Sequence, residues 1–268
     1  MDRYEDMCCK VRSLCEDVGS YIQAEALKFS SEAVEVKGLH NYVTYVDKNA
    51  EKKIVDNLMN LIPEAGFILE EGTIDKKNDS YNWIIDPLDG TTNFIHGIPC
   101  YSISIALMKD HRIVLGVVYE INLKECFYSW LGGDVYLNGK KIGVSQTPSL
   151  NESLLATGFP YYDYKHLDAY MDFFKFLMHE SRGVRRLGSA AVDLAYVACG
   201  RFDGFYEYSL NPWDVAAGAF LVKQAGGIVT DFKGGNDYIF GREIIAANPH
   251  IAAPILKHLQ KYFKKTIP

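Results

Sequence analysis

The chain of 268 residues sets 28 Lys and Arg against 34 Asp and Glu, a formal net charge of −6 that argues against nonspecific nucleic-acid binding and against docking on an anionic membrane. Hydrophobic residues make up 48% and charged ones 23%, as in an ordinary soluble globular protein with enough chain to bury a large core, in one domain or two packed halves. No apolar run approaches ~18 residues and the N-terminal Met-Asp-Arg-Tyr-Glu-Asp lacks a signal peptide's regions, so the expectation is a cytoplasmic protein with neither a membrane nor a nucleic-acid partner.

Apolar groups at Met7, Val11, Leu14, Cys15, Val18, Ile22 and Ala26 recur at helical spacing and predict an amphipathic helix over 4–29. Three of the six cysteines (Cys8, Cys9 and Cys15) lie in it. With no C-x-x-C pair anywhere, reduced thiols in a reducing compartment are a better reading than a zinc site or disulfide framework. A break follows around Lys37-Gly38-Leu39-His40-Asn41. Tyr42–Val46 then leads into Asp47 and a second helix carrying Ile54, Val55, Leu58, Met59 and Ile62, where Asp47 is either the N-cap or part of a site.

Phe67-Ile68-Leu69 reads as a strand ending in Glu70-Glu71-Gly72, and 73–82 as a surface loop. Trp83-Ile84-Ile85 reads as a short central strand, apolar on both faces, that runs into Asp86 and stops at Pro87. Asp86 and Asp89 flank that turn. Gly90 lets backbone approach a ligand, the hydroxyls of Thr91 and Thr92 can cap a helix or hold a water, and a helix starting here would aim N–H groups at an anion. Isolated, D-P-x-D-G is an ordinary turn signal; after an apolar strand it marks a place where sites are built.

Residues 101–130 read as three strands joined by tight turns, and Leu137-Asn138-Gly139-Lys140 adds a hairpin. From about Thr147 the pattern becomes mixed α/β: strands at 154–157, 184–187, 203–206, 228–230 and 244–247, helices at 166–180, 190–199, 212–225 and 252–264. This predicts an N-terminal α+β subdomain (1–146) with a large antiparallel sheet and a C-terminal α/β subdomain (147–268). Glu207 follows apolar residues at a strand end. Asp214 falls in the first turn of an apolar helix, where it is either a dipole-stabilising residue or a buried carboxylate in need of a partner.

Two of these stretches, W-I-I-D-P-L-D-G-T-T-N-F (83–94) and N-P-W-D-V-A-A-G (211–218), resemble the hallmark motifs of the inositol monophosphatase family, and Glu70-Glu71 resembles its third metal motif. The resemblance runs in order over nearly the whole chain. It implies the layered α-β-α-β-α sandwich of the sugar phosphatases, a homodimer, a requirement for two or three Mg²⁺ per subunit, and inhibition by Li⁺. By the same resemblance Glu70, Asp86 and the Leu88 carbonyl hold a first Mg²⁺, Asp86, Asp89 and Asp214 a second, and Glu70 shares a weaker third. Thr91 with Asp47 orients the attacking water. Gly90 and Thr91 give N–H groups to the phosphate, while Asp89, the Ser189–Ala190 backbone and Glu207 meet the alcohol's hydroxyls. Lys37 sits near a lysine that the family often keeps. One departure stands out: Asn41 replaces a customary acid, which leaves the third ion's outer support open.

The chemistry suits the residues. Hydrolysis of a phosphate monoester dianion needs up to ~10²¹-fold acceleration, and two ions roughly 3.5–4 Å apart can hold the attacking and leaving oxygens together. A ligand set without His or Cys favours Mg²⁺ or Mn²⁺ over zinc. The expected reaction is a single-step attack by water on a small phosphorylated polyol, without a phosphoenzyme. Glu207 favours myo-inositol 1-phosphate; its alternative reading is a surface carboxylate. Fructose-1,6-bisphosphatase or broad sugar-phosphatase activity would call for a basic cluster, for which Arg182, Arg185, Arg186 and Arg201 are available. A 3′-phosphoadenosine phosphatase would read D-G-T-K-E-F at 89–94, and a non-catalytic protein on this scaffold would show eroded metal ligands. The aromatics Tyr161, Tyr162, Tyr164, Tyr170, Phe173 and Phe174 are expected to pack in the core or, second, at a dimer interface.

Overall fold

The computed structural model describes residues 3–29, 34–38, 41–161 and 163–263, and for 34–38 and 41–43 the backbone alone. The side chains of Lys37 and Asn41, and all of Tyr162, lie outside the described residues.

Two sheets alternate with three helical layers. The larger, seven-stranded sheet has the order β3-β4-β5-β6-β7-β8-β9. Its strands are β3 (Gly66–Leu69), β4 (Tyr81–Asp89), β5 (Ser102–Lys109), β6 (Arg112–Glu120), β7 (Glu125–Trp130), β8 (Tyr136–Leu137) and β9 (Lys140–Lys141). Only β3 and β4 pair in parallel; the rest is the expected antiparallel meander. One face carries α1 (Arg3–Ala26) and α2 (Tyr45–Leu61). The other carries α5 (Ala190–Ala198) and α6 (Pro212–Gln224), whose far side meets the five-stranded sheet. That smaller sheet has the order β11-β10-β12-β14-β13, from β10 (Leu154–Thr157), β11 (Gly183–Arg185), β12 (Gly204–Tyr208), β13 (Ile228–Thr230) and β14 (Glu243–Ala247). The outer layer is α4 (Leu167–Glu180) with α7 (Ala252–Phe263).

Strand alternation explains the layering. Trp83 and Ile85 pack in the core beneath α1 and α2, whereas Ile84 between them packs with α5 and α6. A strand sandwiched between helical layers must be apolar on both faces, which is why 83–85 lacks polar alternation. The middle layer fits closely because its residues are small: a Cβ on Gly116 of β6 would lie 3.0 Å from the Ala217 carbonyl of α6. Tyr170 and Phe173 are buried with Tyr206 in the third core, as core packing predicts, while Tyr161 and Tyr164 are exposed.

Four local expectations need correction. The strand at 83–86 does not stop at Pro87 but runs to Asp89, through a bulge in which Asp86 faces Ser104 and Asp89 faces Ser102. Proline is tolerated there because the bulge already interrupts the ladder. The break at 37–41 is a two-stranded antiparallel ribbon, β1 (Val34–Gly38) with β2 (Asn41–Thr44). Asp47 is not the N-cap of α2; Thr44 is, and Asp47 at the third helical position completes a capping box. Glu207 lies within β12 rather than beyond its end.

Candidate active site

β3 and β4 bring the first two acids together. Leu69 pairs with Ile85, and the Glu70 N–H continues the ladder to the Ile85 carbonyl at 3.3 Å, so Glu70 comes level with Asp86. Both share the parity of Ile68 and Ile84, whose side chains pack toward the α5–α6 layer. In the bulge, the Leu88 N–H donates to Asp86 Oδ1 at 2.9 Å in place of a ladder partner. Asp89, at the end of β4, receives the Ser189 hydroxyl at 2.6 Å and the Ala191 N–H at 2.8 Å, both on Oδ2 and both from the start of α5.

The fourth acid arrives from α6. Asp214 at its third position accepts the Asn211 N–H on Oδ2 at 2.7 Å, a second capping box. The Ser104 hydroxyl ties the same turn to β5 through the Trp213 carbonyl at 3.1 Å. Ligand oxygens of Asp86, Asp89 and Asp214 consequently lie within 4.8 Å of one another. Glu70 lines the same cleft, near enough for the charge of Asp214 to act on it. Asp86 is buried; Glu70, Asp89 and Asp214 are half-buried along the cleft wall.

Four carboxyls this close resist ionising together. Burial, then repulsion from Glu70, Asp89 and Asp214, pushes Asp86 well above the usual carboxylate range. Burial and the charge of Asp214 do the same to Glu70. Asp89 is raised to about 6 by burial, opposed by its bonds to Ser189 and Ala191 and by Arg186. Asp214 is raised to about 7 by burial and the charge of Asp89, opposed by the Asn211 N–H.

Thr91 opens α3 (Thr91–Ile95), a single turn too short to carry much dipole. Its hydroxyl lies 3.1 Å from Asp47 Oδ1 and 3.1 Å from the Leu88 carbonyl. Asp47 Oδ2 meanwhile takes the Thr44 N–H and hydroxyl, at 2.8 and 2.5 Å. Gly90 adopts φ 97°, and a Cβ there would meet the Cys100 carbonyl at 3.0 Å, so the glycine is required on both counts.

The cleft continues past Ser189 and Ala190 to Glu207, where Gly158 makes room: a Cβ on it would lie 2.1 Å from Glu207 Oε1. Burial raises the Glu207 carboxyl well above its ordinary range. Of the four arginines singled out from the sequence, Arg186 alone lines the cleft, donating to the Tyr161 hydroxyl at 2.7 Å. Arg201 pairs with Glu125 instead.

Two buried acids beside the site escaped the sequence reading. Asp193, in the otherwise apolar α5, lines the cleft with its Oδ1 lacking a hydrogen-bond partner. Glu51 in α2 is fully buried and accepts two N–H groups from the turn after Glu70. The signal for Glu51 was its spacing: 47, 51, 54, 55 and 58 share the inward face of α2.

Comparison with known proteins identifies the family. The family model described as "Inositol monophosphatase family" matches residues 5–264. An inositol-1-monophosphatase of Mesorhizobium japonicum is 39% identical over 93% of this chain and 91% of its own length. A Nus factor SuhB of Escherichia coli is 42% identical over 85% of this chain and 87% of its own. The IMPase of Thermotoga maritima superposes with a TM-score of 0.89 at 36% identity, covering 98% of this chain and all of that one. With motifs, layered fold and full-length likeness in agreement, the chain belongs to the inositol monophosphatase family and is a phosphatase.

Proposed function

We propose that the protein is a Mg²⁺-dependent phosphomonoesterase that hydrolyses myo-inositol 1-phosphate, or a closely related inositol or sugar monophosphate, to the free polyol and phosphate. The observation that carries this reading is the convergence of Asp86, Asp89 and Asp214 beside the Thr91–Asp47 pair. The donor set fits Mg²⁺: hard carboxylate oxygens, joined by Glu70 and the Leu88 carbonyl, with no His or Cys, and mutual repulsion that a cation would relieve. Glu70, Asp86 and the Leu88 carbonyl would hold one ion and Asp86, Asp89 and Asp214 another. Bound there, divalent cations supply positive charge to the phosphate and acidify water.

The chain's own groups do the rest. The Thr91 hydroxyl, backed by Asp47, orients the attacking water and takes part in removing its proton. Backbone N–H groups of Gly90 and Thr91 face the phosphate, and Asp89, the Ser189–Ala190 backbone and Glu207 receive the polyol's hydroxyls. Among the described residues Arg186 alone is a basic side chain lining the cleft, which weighs against a bisphosphate, since that would need a basic cluster. A cytoplasmic, Li⁺-sensitive homodimer completes the reading, and no helix among the described residues is long and apolar enough to cross a membrane. The relative named Nus factor SuhB favours a second role of that kind beside catalysis.

Phosphate release with Mg²⁺ across a panel of inositol, fructose and nucleotide phosphates tests the assignment. Fastest release is expected from myo-inositol 1-phosphate. Release from none of them would sink it.

A further inference from the structure

We infer that Glu51 is a positioning residue for the cation site, holding the turn that aims Glu70. The inference rests on the reading of Glu70 as a cation ligand. Glu70 sits where a strand ends, and repulsion from Asp86 and Asp214 works to push it out of the cleft. On one side its backbone is fixed by its own N–H bond to the Ile85 carbonyl. On the other side the chain turns at once through Gly72, whose φ of 62° is left-handed. That turn points the N–H groups of Glu71 and Thr73 into one concavity, the backbone arrangement that receives an anion.

The anion is the Glu51 carboxylate. Oε2 takes the Glu71 N–H at 2.9 Å and Oε1 the Thr73 N–H at 2.8 Å, and the side chain has no exposure to solvent. Glu51 follows Asp47 by one helical turn, so α2 supports the site twice: Asp47 holds Thr91 and Glu51 holds the Glu70 turn. Two donors demand two acceptor oxygens at this reach. Gln offers one oxygen and would set its NH₂ against the other N–H; Asp is a methylene short.

The test uses the full chain, with Mn²⁺ as spectroscopic stand-in and no substrate. Free Mn²⁺ is counted by electron paramagnetic resonance during titration of the wild type, Glu51→Gln and Glu51→Asp, alongside melting curves in EDTA. Supporting groups behind metal ligands typically govern affinity by 10–100-fold. Half-saturation of Glu51→Gln is therefore expected to rise about tenfold or more at temperatures where its melting curve is still on the folded baseline, with Glu51→Asp serving if the Gln variant does not fold. A curve superimposing on the wild type would overturn the inference, as would weakening confined to temperatures where the variant is unfolding. No Mn²⁺ bound by the wild type would instead overturn the cation-site reading beneath it.

Discussion

Asp89 and Asp214 in the cleft wall, and Asp47 buried behind Thr91, each spend one oxygen on a backbone N–H at the start of a helix, so acids of the site are also structural caps. At Asp47 and Asp214 the sequence poses helix start and site as rivals because a single position shows one residue, not two oxygens. The geometry allows both roles at once. Asp89→Asn is expected to abolish phosphate release while the protein stays folded: the amide oxygen can still receive Ser189 and Ala191, but an NH₂ donor then faces the other acids. Near-normal release with an unchanged melting temperature would remove Asp89 from the site. Thr91→Val loses the hydroxyl 3.1 Å from Asp47, and kcat should fall about 10²-fold or more; kcat within a factor of two would show that Thr91 orients nothing in the reaction. Glu51 and Asp193 were hard to read for the opposite reason. An acid on the inward face of a helix looks like an error in the apolar pattern until its partners in space are known.

Most elements were legible because they are long and periodic, and their bounds agree with the observed ones to within a few residues. What failed was local competition. Pro87 reads as the end of a strand, but a bulge absorbs it, and β1 and β2 are too short to show a period of their own when they pair with each other. The α5–α6 layer shows how little slack the fold has. A Cβ on Gly218 of α6 would lie 2.5 Å from Leu194 Cβ of α5. Gly218→Ala gains about 1 kcal/mol of helix propensity, yet forcing a methyl into packed structure costs about 1–3 kcal/mol. The urea midpoint should therefore fall despite the better helix former. A rise would mean that the two helices can separate without penalty.

At the scale of the whole molecule, the raised carboxyls link stability to pH and to cations. Asp89 and Asp214 have folded values of about 6 and 7 against an ordinary 3.8. A carboxyl raised on folding contributes stability below its ordinary value and loses it as pH climbs through the folded one. EDTA-treated protein should accordingly melt lower at pH 8 than at pH 5 on account of these groups. A cation binds more tightly once these acids are ionised, and binding at 100 times the dissociation constant is worth about 2.7 kcal/mol, so at one fixed Mg²⁺ concentration the rise in melting temperature should be larger at pH 8 than at pH 5. An equal rise at both pH values would disconnect the acids from the ion. Asp89 ends a strand of the large sheet but is gripped by the start of α5, a hundred residues later, and Asp214 comes later still. A chain emerging from the ribosome exposes its early acids long before their companions exist. On the proposed assignment, the ion held by Asp86, Asp89 and Asp214 therefore has no complete site until residue 214 has been made.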